Sequence, residues 1–343
     1  MLYRIPDGRA VQTVVAALQG DARIGRPQPN YYYGVQAETV ASAPGLAPDL
    51  QYALAKLDIR AANRVATGRG VRVAVIDSQI DPTHPDLAGV IAATFDAAER
   101  PTAKPDVHGT AIAGIIGARG LIRGVAPDAA LLGVNAFAPT GSDVAAATTA
   151  TLLRGLDWAL GQGARIVNLS LTGPRDPLMQ SGVEAAVGDG AIIVAAAGNK
   201  GYGAPPAYPA AYPNVIAVTA VDIGDRLYAS ANRGGYVELS APGVDVLAPA
   251  LDHAHLLHTG TSFAAAHVSG MIALMLEREP KLSLEDIRET LSGTAKDLGA
   301  PGRDELFGAG EPNAMAMLAA RDRRKAFAVP GEGAALNESV PAD

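Results

Sequence analysis

The chain is expected to be an α/β protein in which helices cover both faces of a mostly parallel sheet. Three observations lead there. Between residues 71 and 221 short aliphatic runs alternate with longer helical patterns, the succession of strand, crossover helix and next strand that builds a parallel sheet. The runs are apolar on both alternating faces, as strands enclosed between helix layers are. Of 343 residues, 48% are hydrophobic but only 5% aromatic, and there are 38 Gly and 24 Pro, so the core must be built from small aliphatic side chains joined by many tight turns.

The elements follow in order. Residues 34–49, rich in Gly, Pro and Ala, read as a link. VRVAVID (71–77), AALLGVNAF (129–137), RIVNLSL (165–171), AIIVAAAG (191–198) and NVIAVTAV (214–221) are the expected central strands. Helices are expected over 109–118, 144–161, 178–188, 262–278 and 283–292, where apolar residues recur at three and four and Gly or Pro marks the ends. EPNAMAMLAA (311–320) adds a last helix. Beyond it the chain turns polar and carries Pro and Gly, so 321–343 is expected to be a loosely ordered tail. No internal repeat is evident.

Composition excludes several classes of function. Lys and Arg number 28 against 35 Asp and Glu, a net charge of −7, and the basic residues are scattered, which argues against a nucleic-acid surface. The one dense basic run, RDRRK at 321–325, reads as a solvated helix end or linker. With 0 cysteines there is no disulfide, thiolate metal site or cysteine nucleophile, and the compartment stays open. No apolar run approaches the roughly 18 residues that span a bilayer. Residues 1–30 lack the charged start and apolar stretch of an export signal.

Chemistry is expected beyond the carboxyl ends of the strands, where open parallel sheets bind ligands. Asp77 closes VRVAVID, His108 opens HGTAIAGIIGA and Asn199 ends AAAGN. Each alone has an ordinary reading as a turn or helix-end residue. Ser262 in TGTSFAAAHVSG (259–270) is readable as a helix cap. The residues after it are almost wholly apolar apart from His267, so the helix starts buried and concentrates N–H donors and positive dipole around the hydroxyl. Taken together, the four supply a nucleophile, a base titrating near neutrality, an acid to hold its tautomer and an amide donor for an oxyanion. Carboxylate first, imidazole second and hydroxyl last is one of three chain orders in which such a triad occurs.

At these residues the chain resembles the subtilisin-like serine proteases. VAVIDSQIDPTHPDL is similar to the family's aspartate segment, HGTAIAGIIGARGLIRGVAPDAAL to its histidine segment and IVNLSLTGP to its substrate-binding strand. AAAGN resembles the oxyanion segment, GTSFAAAHVSG the serine segment and GAGEPNAMAMLA the closing helix. The resemblance covers roughly residues 67–320 and implies a three-layer α/β fold, with about seven mostly parallel strands between helix layers. It also implies that Ser262 attacks the scissile carbonyl, His108 moves the proton, Asp77 orients His108, and Asn199 with the Ser262 N–H holds the oxyanion. Ser170, Leu171 and Thr172 would pair with an extended polypeptide substrate, and TGS at 140–142, with Gly141 and Ser142, would form the opposite wall. No cofactor and no metal is implied.

A weaker resemblance gives residues 1–36 the character of half an inhibitory prosegment, an intramolecular partner made of a short strand (LYRIP), a helix (VQTVVAALQGD) and a tail ending RPQPNYYY. Residues 37–66 are then a linker and lead-in helix, 67–320 the catalytic domain and 321–343 the tail. On that reading the protein starts upstream, self-cleavage falls between Tyr33 and Ser42, and the expected location is extracytoplasmic. Departures from the family pattern set further expectations. Gln79 replaces a glycine, which matters if that position needs a positive φ, and it leaves open a catalytically impaired peptide binder as the alternative function. Thr172 replaces a glycine and is expected to narrow the primary pocket. Ala111 and Ala266 stand where larger residues or Pro are usual and suit their helices. The segment after His108 lacks the insertion that forms the family's calcium loop, so no such site is expected despite Asp86. A dinucleotide enzyme is excluded, because SQIDPTH and not a glycine fingerprint follows the first strand.

Overall fold

The computed structural model describes residues 2–21, 23–35, 38–42, 51–98, 104–139 and 145–328. In chain order the strands that matter here are β1 (Tyr32–Tyr33), β2 (Glu38–Ser42), β3 (Arg72–Asp77), β4 (Ile91–Asp96), β5 (Ala130–Asn135), β6 (Phe137–Pro139) and β7 (Ala145–Thr148). They continue with β8 (Ile166–Leu169), β9 (Ile192–Ala196), β10 (Val215–Val221), β11 (Leu239–Pro242), β12 (Val246–Pro249) and β13 (His255–Thr259). The helices are α1 (Val11–Leu18), α2 (Tyr52–Lys56), α3 (Ile59–Ala62), α4 (Val107–Gly117), α5 (Thr149–Gly161), α6 (Pro177–Gly188), α7 (Thr261–Arg278), α8 (Leu284–Gly293) and α9 (Ala314–Ala328).

Seven strands form one sheet in the order β11-β10-β9-β8-β3-β5-β4, and every neighbouring pair is parallel. The five expected central strands are β3, β5, β8, β9 and β10; β4 and β11 are the edges. From β3 the chain steps out to β4, returns to β5, crosses to β8 and then runs outward to β11. Connections therefore diverge at the β3–β8 boundary, which opens a crevice beyond the carboxyl ends of those strands.

Alternation along the strands feeds two cores. Val73 and Val75 of β3 point to one face, where α4 and α7 contribute Ile112, Ile116, Phe263 and Met271. Ala74 and Ile76 point to the other, against Leu152 and Leu156 of α5 and Met179 and Val183 of α6. Helix α7 is deeply enclosed: every residue from Thr261 to Leu276 is buried. Ala264, Ala265, Ala266 and Ala273 let its neighbours pack closely between the larger Phe263, Met271 and Leu274. Ala111 and Ala266 are both fully buried, so the alanines fit where they stand.

Four expectations need correction. The expected helix at 144–161 begins at Thr149, because Ala145–Thr148 is β7, antiparallel to β1 and β6; a capping box between Thr148 and Thr151 marks the start. The tail expected from 321 is helical to Ala328 as part of α9. There Arg321 is held by Glu279 at 2.9 and 3.0 Å and Arg324 by Glu289 at 3.0 Å, so the basic run is a paired helix end. LYRIP is not a strand, although the helix after it forms as α1, with no buried residue. The link expected at 34–49 contains β2, antiparallel to β13.

The end of α7 fastens the entry into the sheet. Glu277 Oε2 accepts the backbone N–H groups of Thr67, Gly68 and Arg69 at 2.5, 2.6 and 3.2 Å, just ahead of β3. Glu277→Ala leaves these donors without their acceptor and is expected to cost about 1–3 kcal/mol. The check is thermal unfolding, where a domain of this size loses about 2–4 °C per kcal/mol.

Candidate active site

Asp77 ends β3 with its side chain wholly buried at the crevice. Its Oδ1 accepts the Ser78 N–H at 2.7 Å and the Nδ1–H of His108 at 2.7 Å. A carboxylate only accepts, so this contact puts the proton on Nδ1 and leaves Nε2 of a neutral ring as the basic nitrogen. Helix α4 brings His108 there. Asp106 caps that helix by accepting the His108 N–H at 2.9 Å, and Ser78 Oγ lies 2.9 Å from Asp106 Oδ1 and 3.1 Å from Asp77 Oδ1. Ser78 Oγ also accepts the Gly109 N–H at 3.0 Å, locking the aspartate loop to the histidine helix.

Burial is the largest influence on His108 and pushes its pKa down. The charge and hydrogen bond of Asp77, joined by the charge of Asp106, outweigh it, and the net direction is upward from 6.5. Nε2 of His108 and Oδ2 of Asp77 are buried and have no hydrogen-bond partner. Phe263 lies 5.6 Å from the His108 ring between centroids, and His258 lies 5.1 Å from Phe263. His258 is pushed down to about 4 by burial and then by the charge of His108, so it stays neutral and adds no second cation.

Ser262 is the second residue of α7 and caps nothing: Gly260 is the N-cap, without a side-chain cap bond. Gly260 sits at φ +154°, a backbone that side chains rarely adopt, and this lets the chain leave β13 and start a buried helix within one residue. Ser262 Oγ donates to the carbonyl of Ser170 at 3.2 Å, and Ser170 Oγ donates to the Ser262 carbonyl at 2.9 Å. Asp77 and His108 are thus hydrogen-bonded to each other, while the Ser262 hydroxyl is turned to the neighbouring strand end. Such contacts commonly tighten only with substrate in place.

Asn199 lies just past β9. Its Oδ1 accepts from Thr261 twice, from N–H at 3.0 Å and from Oγ1 at 2.8 Å, and Thr261 Oγ1 in turn accepts the Gly198 N–H at 3.1 Å. With Oδ1 fixed on Thr261, the amide is oriented beside Ser262. The backbone of Gln79 is not at positive φ, and its carbonyl accepts the Asp106 N–H at 2.7 Å. The aspartate turn therefore needs no glycine there.

Ser170, Leu171 and Thr172 follow β8. Ser170 and Leu171 are buried, and Thr172 exchanges both backbone hydrogen bonds with Gly34, at 2.9 and 3.0 Å. Gly141 and Ser142 lie outside the described residues; the adjoining β7 pairs with Tyr32 and Tyr33. The chain's own residues 32–34 thus line both walls in extended form, and Glu38 and Thr39 pair with Thr259 and His258 on the other side of Ser262.

The subtilase family pattern matches residues 68–310. The chain belongs to the subtilase family. It is 38% identical over 250 residues to the minor extracellular protease Epr of Bacillus subtilis (strain 168), covering 71% of this chain and 38% of Epr. It is 37% identical to subtilisin Savinase of Lederbergia lenta, covering 74% and 93%, and 35% identical to an alkaline protease of Alkalihalobacillus alcalophilus, covering 81% and 72%. Among solved structures it is similar to fervidolysin from Fervidobacterium pennivorans, a keratinolytic enzyme related to subtilisin, at TM-score 0.74 and 29% identity over 85% of this chain and 51% of that one. The chain therefore spans only part of Epr and fervidolysin. As a subtilase it is a serine-type endopeptidase.

Sequence reasoning missed Ser78, Asp106 and Thr261, which orient the subtilase residues. Asp106 alone carried a signal, an acidic cap two residues before His108. Among the described residues, His84, Asp86 and His255 are the group whose ligand atoms lie close enough, within 4.8 Å, to hold a metal ion. Both Asp86 oxygens and both His84 ring nitrogens already have partners: Asp86 accepts the Leu121 N–H at 2.5 Å and meets His255 Nε2 at 2.5 Å, and His84 faces the Asp86 N–H and the Ala254 carbonyl at 3.1 and 3.2 Å. Asp86 thereby ties the β12–β13 hairpin to the loop after β3.

If His108 is the base, its raised pKa places the acid limb of kcat/KM to the alkaline side of an ordinary imidazole. Asp106→Asn keeps a capping oxygen but removes a negative charge beside the ring. It should shift that limb to lower pH, as read from kcat/KM against pH.

Proposed function

We propose that Ser262 is the nucleophile of a peptide-bond hydrolysis in which His108, Asp77 and Asn199 take the three supporting roles. The carrying observation is the buried 2.7 Å contact between Asp77 and His108, which leaves Nε2 as the base beside the start of α7. Turning about its Cα–Cβ bond takes the Ser262 hydroxyl from the Ser170 carbonyl towards Nε2. His108 accepts its proton as Oγ attacks the scissile carbonyl, then delivers it to the leaving amine; water repeats the sequence on the acyl-enzyme. Negative charge on the carbonyl oxygen is met by the Asn199 amide and the Ser262 N–H, already oriented before substrate arrives. Ser170, Leu171 and Thr172, with the 140–142 stretch opposite, hold the substrate main chain by strand addition.

Residues 1–36 are part of this proposal as an intramolecular partner. Tyr32–Gly34 pair on one side of Ser262 and Glu38–Ser42 on the other, so the bonds between Val35 and Glu38 belong to the stretch that self-cleavage would sever. A location outside the cytoplasm completes the reading. It is supported by the Bacillus subtilis relative, which is named an extracellular protease.

A fluorophosphonate probe is expected to label the wild-type protein and not Ser262→Ala. N-terminal sequencing of the same pair should find a new start between residues 35 and 38 in the wild type alone. An identical start in both removes self-processing, and labelling that survives the substitution removes Ser262 as nucleophile.

A further inference from the structure

The main chain of residues 31–34 explains why the segment lies in the groove, but not why Tyr33 is held as it is. Tyr32 is 62% exposed, while Tyr33 beside it is 1% exposed, in the same apolar cluster as Leu152, Leu171 and Met179. Its ring lies flat over Gly173: a β-carbon added there would meet ring atoms at 2.3, 2.6 and 2.8 Å. Only a residue without a side chain leaves this slot open.

At the end of the slot the Tyr33 hydroxyl donates to Asp176 Oδ2 at 3.1 Å. Asp176 is 0% exposed and caps α6. Its Oδ1 accepts the N–H groups of Leu178 and Met179 at 2.9 and 3.1 Å and the Gln28 amide at 2.7 Å; its Oδ2 accepts the Thr149 hydroxyl at 2.6 Å. Tyr212 fixes the Asp176 backbone, receiving its N–H at 3.1 Å and donating to its carbonyl at 2.8 Å. The donors from α5 and α6 belong to the domain and remain when residues 1–36 depart. Those from Gln28 and Tyr33 leave with them, and Oδ2 then keeps Thr149 alone.

We infer that this slot is a tyrosine-selective substrate subsite, in which Asp176 reads the phenol of the residue just before the one that pairs with Thr172. The inference rests on the protease reading of the groove and deepens it. An ordinary apolar subsite would accept Phe and Tyr alike. Here a Phe ring fills the slot, seals the carboxylate from water and offers it nothing. Sites built to bind a substrate hydroxyl discriminate far more strongly against its absence than apolar pockets discriminate on size. Tyr33 is then the substrate side chain that the protein presents to itself.

Two measurements test this. Peptides spanning residues 26–42, with Tyr33 kept or replaced by Phe, Leu or Arg, are offered to the wild-type protein. The Tyr peptide is expected to have a kcat/KM about 10- to 100-fold above the Phe peptide, and Asp176→Asn, which retains a capping oxygen, to reduce that ratio below about 3-fold. In full-length Ser262→Ala protein, Tyr33→Phe is expected to speed amide exchange at Gly34 and Thr172 about 10-fold with no chemistry involved. Equal kcat/KM for Tyr and Phe, a preference for Arg, or unchanged exchange overturns the subsite. If no peptide of any sequence is cleaved, the protease reading fails, and the exchange ratio still decides whether Asp176 selects tyrosine.

Discussion

The whole site depends on one buried hydrogen bond, between the carboxylate that ends β3 and the imidazole at the start of α4. Asp77 is fully buried, and a polar group buried without partners is costly. Its Oδ1 accepts from Ser78 and His108, and nearly every feature of the site follows from that requirement. The parallel sheet brings the N–H of the loop after β3 to the carboxylate, α4 brings the imidazole, and Asp106 and Ser78 join the two elements so that neither can drift. The charge and hydrogen bond of Asp77 raise the basicity of the histidine. The same pair, if one partner were removed, would leave an uncompensated buried group, which is why such contacts are costly to break.

Much of this was legible in the sequence because strands buried on both faces carry continuous aliphatic runs. VRVAVID and its four counterparts became β3, β5, β8, β9 and β10 with ends displaced by only a few residues. The edges were harder: β4 alternates exposure, with residues 92 and 94 on the open side, and β11 is four residues long and ends in Pro242. Asp77, His108, Ser262 and Asn199 stood out as candidates because each lies at or just past a strand end or opens a helix. Ser78 and Thr261 escaped because their partners are distant along the chain, and a hydroxyl that hydrogen-bonds across elements looks like any other turn residue beforehand; the cap of Asp106 on His108 was local, but its contact with Ser78 was not.

The two misread boundaries share a cause. Ala145–Thr148 has helical composition, but an extended segment from residues 31–33 lies alongside and its backbone groups need partners, so tertiary pairing overrides propensity. Residues 38–42 look like a link for the same reason, since nothing in ETVAS announces the β13 strand that it joins. Residues 321–328 erred in the opposite direction. Their charge suggested solvent, whereas Glu279, Asp286 and Glu289 lie within reach of Arg321 and Arg324 and extend the helix.

β1 and β2 are the outer members of two small sheets, and β7 and β13 are bonded on both sides only while they remain. Without them, each inner strand would be a bare edge with a row of N–H and C=O groups facing solvent. Two such edges flanking Ser262 match any polypeptide that can lie extended for several residues, and they match a compact domain poorly. The architecture thus favours unfolded or loop-borne chain, the extended form that residues 32–34 and 38–42 of this protein already take there.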